Sequence, residues 1–383
     1  MIFRILKKSK ISRARIGILK TSHGEVETPC LVPVATQAVI KTLTSEQVEQ
    51  TKSQILICNT FHLHLKPGEG IVKSSGGLHK FMNWQSPLMT DSGGYQVFSL
   101  GFGRDFKMGK MLSKEESLSI KSGRQPKSLK ITRDGVFFQS PLDGSKLFLG
   151  PKESIKIQEQ LGADIIFNFD ECPPPIADYE YTKRSMERTH LWAKICLDSR
   201  STSSGQAEQA LFGIVQGGKF KDLRMESAKF ISSLPFDGLG IGGELGFDKK
   251  KMFQMLSWVT EILPEEKPRH LLGNGHINDL IKIFKSGIDT VDCVIPTHYA
   301  RHGVAFVSLG RLDMAKSIFL KDSKEPLDKK CDCFVCQSYS KSYISHLFRA
   351  REITALSLLT FHNLYFFNTF IEGIREKIKQ GKC

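Results

Sequence analysis

Short apolar runs recur along the chain, at residues 29–34, 54–58, 87–90, 164–169, 211–215, 236–241, 270–272 and 288–294. Most finish in a polar residue or glycine: Asn59, Asp91, Asp170, Gln216, the pair Gly242 and Gly243, Gly273, and Asp292 inside the last run. Strands that read as almost continuous apolar stretches are buried on both faces, as in parallel sheets. Amphipathic spacing between many of them predicts helices over 45–53, with a Ser45 cap, and over 151–162, 181–199, 221–234, 249–263 and 277–286. Alternating strand and helix units in this number predict an α/β fold, a (β/α)8 TIM barrel, whose chemistry sits at the carboxyl ends of its strands. A doubly wound open sheet is the structural alternative and places ligands at the same ends.

The alternation breaks after Asp91. Residues 130–149 alternate and turn at Asp134-Gly135 and Asp143-Gly144, which predicts an inserted antiparallel β piece. Residues 101–127, rich in Lys, Ser and Gly, read as a surface loop beside Asp91, and 200–209 as an exposed linker. The expected organisation is a barrel over 1–309 with an insertion around 101–150, a small zinc-binding subdomain over 310–365, and a C-terminal helix over 366–383 packing on the barrel.

The last apolar run leads into IDTVDCVIPTHYARHG, with Pro296 ending the strand before a basic turn carrying His298, Arg301 and His302. An acid at a strand end among cations suits chemistry, although Asp292 alone also reads as a structural partner of Arg301. The net charge of +14 favours a polyanionic partner, a nucleic acid or an acidic membrane surface. No apolar run approaches the ~20 residues of a membrane span, and the basic N-terminus lacks the apolar segment of a signal peptide. The nine cysteines are odd in number and unevenly spaced, which argues for a reducing, cytoplasmic setting. Cys331, Cys333 and Cys336 cluster, and three Cys with one His form a closed structural zinc set. His362 suits the fourth place as a helix-borne ligand; His346 lies within reach in sequence.

Together these stretches carry a resemblance. HGEVETP (23–29), NTFHLHLKPG (59–68), GGLHKFMNW (76–84), MTDSGGYQVFSL (89–100), LDGSK (142–146), FDEC (169–172), SMERT (185–189), GIVQGG (213–218), FDGLGIGG (236–243), KPRHLLG (267–273), DCVIPT (292–297), CDCFVC (331–336) and LLTFHNLYF (358–366) follow in order over nearly the whole chain. The sequence resembles the tRNA-guanine transglycosylases, also called queuine tRNA-ribosyltransferases, of bacterial type. The resemblance implies an enzyme with one structural Zn2+ per chain, commonly a homodimer. It exchanges the wobble guanine of tRNAs with GUN anticodons for a free 7-deazaguanine base, queuine or its precursor preQ1. It further implies Asp292 as nucleophile on the ribose and Asp91 as the proton-transfer group. Asp170, Gln216 and Gly243 would bind the base, with Tyr95 stacking on it and Ser92, Gly93 and Gly94 beside it. The anticodon would lie against Gly273, Asn274, Gly275 and His276 and against Thr297, His298, Tyr299, Ala300 and Arg301. Cys331, Cys333, Cys336 and His362 would hold the zinc.

The chemistry agrees with that assignment. Breaking an N-glycosidic bond builds positive charge on the sugar, which a carboxylate stabilises and traps; double displacement keeps the new base on the old face. A second acid protonates the leaving purine and deprotonates the incoming one. An ionised carboxylate such as Asp170 accepts both donors of a guanine-like edge. Four departures stand out. GGELGFD at 242–248 replaces the usual GGLSVGE, putting Glu244 for a leucine and Gly246 for a valine. Glycine there occurs in queuine-using members and opens room near the 7-substituent, while Cys172 matches the preQ1-using pattern. His298 replaces an arginine expected to touch the anticodon. The GNGH loop at 273–276 departs from GVGT, and 101–127 exceeds the usual length. The alternative function is a catalytically silent RNA-binding partner subunit, against which the intact Asp91 and Asp292 argue.

Overall fold

The computed structural model describes residues 1–99, 129–200, 209–243, 249–321 and 324–383. The surface loop expected at 101–127, most of the 200–209 linker, and Glu244 and Gly246 lie outside the described residues. Eight parallel strands close into a barrel in the order β10-β11-β12-β13-β14-β4-β5-β6. They are β4 (Cys30–Ala35), β5 (Leu56–Cys58), β6 (Leu88–Thr90), β10 (Ile165–Phe167), β11 (Ala210–Val215), β12 (Gly238–Ile241), β13 (Arg269–Leu271) and β14 (Thr290–Cys293). Closure between β14 and β4 through Asp292 and Val32 rules out the open doubly wound sheet.

Alternation along each strand divides the core in two. Cys30, Val32, Ile57, Met89, Ile165, Phe167, Ala210, Phe212 and Ile214 fill the lumen. Leu31, Leu56, Leu88, Leu211, Val215 and Leu239 belong to the layer under the helices. Both faces of most strands thus meet apolar neighbours, which is why the runs read as continuous. A three-stranded antiparallel sheet of β1 (Ile2–Lys8), β2 (Arg15–Thr21) and β3 (Gly24–Thr28) precedes β4, and its Leu19 and Val26 pack into the lumen cluster. Arg15 fastens it through a buried bidentate pair with Asp289, Nε to Oδ1 at 2.8 Å and Nη2 to Oδ2 at 2.6 Å. No part of this sheet was expected from the apolar runs.

The inserted piece is antiparallel as expected: β7 (Lys130–Ile131), β8 (Val136–Gln139) and β9 (Lys146–Leu149). Helices follow at Pro151–Leu161, Tyr179–Ser199, Lys221–Ser233, Lys249–Thr260 and Ile277–Lys285. The first helix, Ser45–Gln50, is capped by Thr44 rather than Ser45, through a capping box with Gln47. The basic turn after Asp292 is instead a helix, Ile295–Arg301, because Pro296 sits in its first turn, where a missing N–H costs nothing. The pair β15 (Val304–Val307) and β16 (Gly310–Asp313) leads to the cysteine cluster. One helix, Ile353–Lys379, then runs unbroken through the boundary expected at 365/366. Its Asn363 holds the end of the barrel: Oδ1 accepts from Phe306 N at 2.9 Å, and Nδ2 donates to Pro296 O at 3.0 Å and Val304 O at 2.9 Å. No helix among the described residues is long and apolar enough to cross a membrane.

Candidate active site

Asp91 follows β6 at the carboxyl mouth. Its Oδ1 accepts from Thr60 N at 2.9 Å and Gly93 N at 3.2 Å; its Oδ2 accepts from Asn59 Nδ2 and from Gln96 Nε2 at 3.3 Å. Asn59 and Thr60 come from the turn after the neighbouring strand β5, where Asn59 also caps the next helix. Burial, with the charge of Asp292 adding to it, holds Asp91 up at about 7 against the pull of the Thr60, Gly93 and Gln96 donors. An acid that titrates near neutrality can both give and take a proton.

Next around the mouth, Asp170 is buried; its Oδ1 accepts from Ser92 Oγ at 3.0 Å and its Oδ2 from Gln216 Nε2 at 2.6 Å. Burial raises it to about 6, with the neighbouring Glu171 adding to the effect. Gly94 is packed so closely that a Cβ would sit 2.5 Å from Asp170 O, which fixes the loops after β6 and β10 against each other. Gln216 is fully buried after β11, and its N–H donates to Ser227 Oγ at 3.1 Å. Gly243 follows β12 at φ +95°, a conformation only glycine adopts freely.

Asp292 ends β14 with 14% of its side chain exposed. Its Oδ1 lies 3.1 Å from His270 Nε2 and accepts from Gly273 N at 2.8 Å. His270 is wholly buried on β13, its Nδ1 2.8 Å from Thr290 Oγ1 and its ring 5.4 Å from that of Phe167. Among the described residues no donor reaches Asp292 Oδ2. The suspected structural pair with Arg301 is not formed: Arg301 Nη1 donates to Thr297 O at 2.9 Å, one turn back along its own helix.

The rim residues divide. Tyr95 is 44% exposed at the start of the helical stretch 94–99, and Gly273 is exposed in the loop after β13. Asn274 Nδ2 donates to Leu272 O at 3.0 Å, and Gly275 is buried against Cys293. His276 Nδ1 caps the Ile277–Lys285 helix. Thr297 and Ala300 are buried, so the Ile295–Arg301 helix offers His298, Tyr299 and Arg301 outward.

Outside the mouth, His362 Nδ1 lies 3.9 Å from Cys331 Sγ, 3.5 Å from Cys333 Sγ and 3.4 Å from Cys336 Sγ. A tetrahedral zinc with Zn–S near 2.3 Å and Zn–N near 2.0–2.1 Å requires an S to N separation of about 3.6 Å. His362 Nε2 lies 2.7 Å from Phe306 O, which fixes the N–H on that side and leaves Nδ1 as the ligand atom. The four residues therefore fit zinc, and His346 is not among them.

Sequence reasoning assigned no role to His270, although it stands in the quoted motif KPRHLLG; a histidine inside an apolar run was the available signal. It also left Gln96, Arg224 and Ser227 without roles. Nothing local marks Arg224 and Ser227 as pocket residues.

The fold is a closed parallel (β/α)8 barrel, with Asp91, Asp170 and Asp292 at the carboxyl mouth where such barrels place their active sites. The sequence model of the family described as Queuine tRNA-ribosyltransferase matches residues 10–383. Among curated relatives, the queuine tRNA-ribosyltransferase of Halothermothrix orenii is 44% identical over 379 residues, covering 99% of this chain and 94% of its own. That of Caldanaerobacter subterraneus subsp. tengcongensis is 45% identical over 381 residues, with 99% and 94% covered. That of Staphylococcus aureus is 44% identical over 378 residues, with 98% and 92% covered. This chain belongs to the queuine tRNA-ribosyltransferase family.

Proposed function

We propose that this protein is a tRNA-guanine transglycosylase that exchanges the wobble guanine of GUN-anticodon tRNAs for a 7-deazaguanine through a covalent ribosyl ester on Asp292. The observation that carries the reading is the state of Asp292. One carboxylate oxygen is held by His270 and Gly273 N–H, while the other has no donor among the described residues. A carboxylate oriented through one oxygen and unencumbered at the other suits attack on an anomeric carbon.

Asp91 protonates the departing guanine and later deprotonates the incoming base. Esterifying Asp292 removes one of the charges that raise the Asp91 pKa, so the same acid becomes a readier carboxylate for the second step. Asp170, Gln216 and Gly243 hold the base edge and Tyr95 stacks on its face, replacing the stacking lost when the nucleotide leaves the anticodon loop. In the free protein Gln216 Nε2 is bonded to Asp170 Oδ2, so an entering base displaces that bond rather than an open shell of water. His298, Arg301 and the 273–276 loop lie toward the tRNA, the partner the net charge of +14 favours.

Cys331, Cys333, Cys336 and His362 would hold one structural Zn2+, and Asn363, next to His362, ties this segment to Pro296 in the helix after Asp292. The enzyme works as a cytosolic homodimer and takes queuine, in keeping with glycine at 246, as in queuine-using members of the family.

The test is exchange of labelled guanine into a GUN-anticodon tRNA, with queuine and preQ1 as competitors and D292N as control. Exchange by the wild type, with an RNA adduct that survives a denaturing gel and disappears in D292N, is expected. Binding of tRNA without exchange returns the silent-partner reading, and preQ1 used far better than queuine rejects the choice of base.

A further inference from the structure

We propose that Arg224 is a positioning residue that sets base specificity: its buried guanidinium fixes which way the Gln216 amide faces, and so selects a 6-oxopurine over a 6-aminopurine. This rests on the base-exchange reading above.

Arg224 lies on the Lys221–Ser233 helix, behind the pocket, and is fully buried. Among the described residues it has no carboxylate partner. Its Nε donates to Gly218 O at 2.7 Å, and its Nη1 to Gly242 O at 2.7 Å and Val215 O at 3.3 Å. Val215 is the last residue of β11, and Gly218 and Gly242 lie in the loops after β11 and β12, which carry Gln216 and Gly243. An unpaired buried charge is costly, and an apolar side chain would fill the space more cheaply if filling were its purpose.

Two polar atoms here are buried without a hydrogen-bond partner, Arg224 Nη2 and Gln216 Oε1. They converge on one spot: a Cβ added to Gly243 would lie 2.7 Å from Arg224 Nη2 and 3.1 Å from Gln216 Oε1. A side-chain amide can present its oxygen or its NH2 to a ligand, and those two faces suit opposite bases. Arg224 can only donate, so it draws Oε1 to its own side and leaves Nε2 facing Asp170 and the base. With the NH2 held forward, a carbonyl at position 6 is bound and an amino group there meets a donor. Without the guanidinium the amide can turn, and that distinction weakens.

The experiment compares wild type, R224M and R224K for calorimetric binding of free guanine and free adenine, for tRNA affinity, and for melting temperature and zinc content. R224M is expected to weaken guanine binding tenfold or more and to shrink the guanine-to-adenine preference at least tenfold, with tRNA affinity changed less than threefold. R224K, which keeps the charge, is expected to recover part of the preference. A purely structural role would lower the melting temperature and weaken both bases alike. A preference within twofold of wild type in a folded, zinc-loaded R224M overturns the proposal. If R224M does not fold, R224K decides: equal losses for base and tRNA overturn it. A wild type that neither binds nor exchanges guanine removes the base-exchange reading itself, and this proposal with it.

Discussion

On the proposed mechanism Asp91, held up at about 7 mainly by burial, is expected to set the pH dependence of both half-reactions. The rise from 3.8 corresponds to roughly 4 kcal/mol at about 1.4 kcal/mol per unit, set mainly by burial. In a double displacement, kcat/KM for tRNA reports the first half, which needs Asp91 protonated, and is expected to fall as pH rises through 7. kcat/KM for the incoming base reports the second half, which needs Asp91 ionised. It rises with pH and levels off at a lower pH, because Asp292 is then an uncharged ester and no longer raises Asp91. Gln96→Leu perturbs this directly. It removes a donor 3.3 Å from Asp91 Oδ2, a bond worth roughly 1 kcal/mol at that length, so both limbs should move up by about 0.7 unit. The assay is initial-rate exchange of labelled guanine and of the 7-deazaguanine, with each substrate varied in turn from roughly pH 5.5 to 9. Two limbs that run in the same direction with pH, or limbs that Q96L leaves in place, would refute the reasoning. Stability follows the same displacement with its own sign. A raised carboxyl is neutral in effect below the unfolded value near 4, penalises the fold increasingly up to about 7, and does so in full above it. Asp91→Asn, while abolishing exchange, should therefore raise Tm at pH 8 and leave it unchanged at pH 4.

His270→Phe keeps the packing on Phe167 but drops the contact to Asp292; covalent adduct formation measured by rapid quench should slow roughly ten- to a hundredfold with tRNA affinity unchanged, and a loss under threefold would exclude an orienting role. Atomic absorption should find one zinc per chain, and a strong chelator should lower Tm by about 10 °C or more, since closed Cys3His sites contribute folding free energy outright; a metal-free protein with the same Tm would contradict the assignment.

Much of this protein is written locally. Eight apolar runs became eight barrel strands because burial on both faces is a property of each segment alone, and Asp91, Gln216 and Asp292 mark strand ends by the same logic. The Cys331, Cys333 and Cys336 spacing declared its chemistry without a fold. Tertiary structure decided what depends on register and curvature. It placed an N-terminal sheet against the lumen, turned an expected basic turn into the Ile295–Arg301 helix, and carried one helix through the 365/366 boundary. It also paired Asp292 with His270, 22 residues away, instead of with Arg301 in the same stretch. The residues behind the pocket were the least legible. Arg224 and Ser227 look like ordinary positions on an amphipathic helix, and only the folding of that helix back over the paired strands it connects brings them against the ends of β11 and β12. Periodicity records which face of a segment is buried; it carries no information about which segment is waiting on the other side.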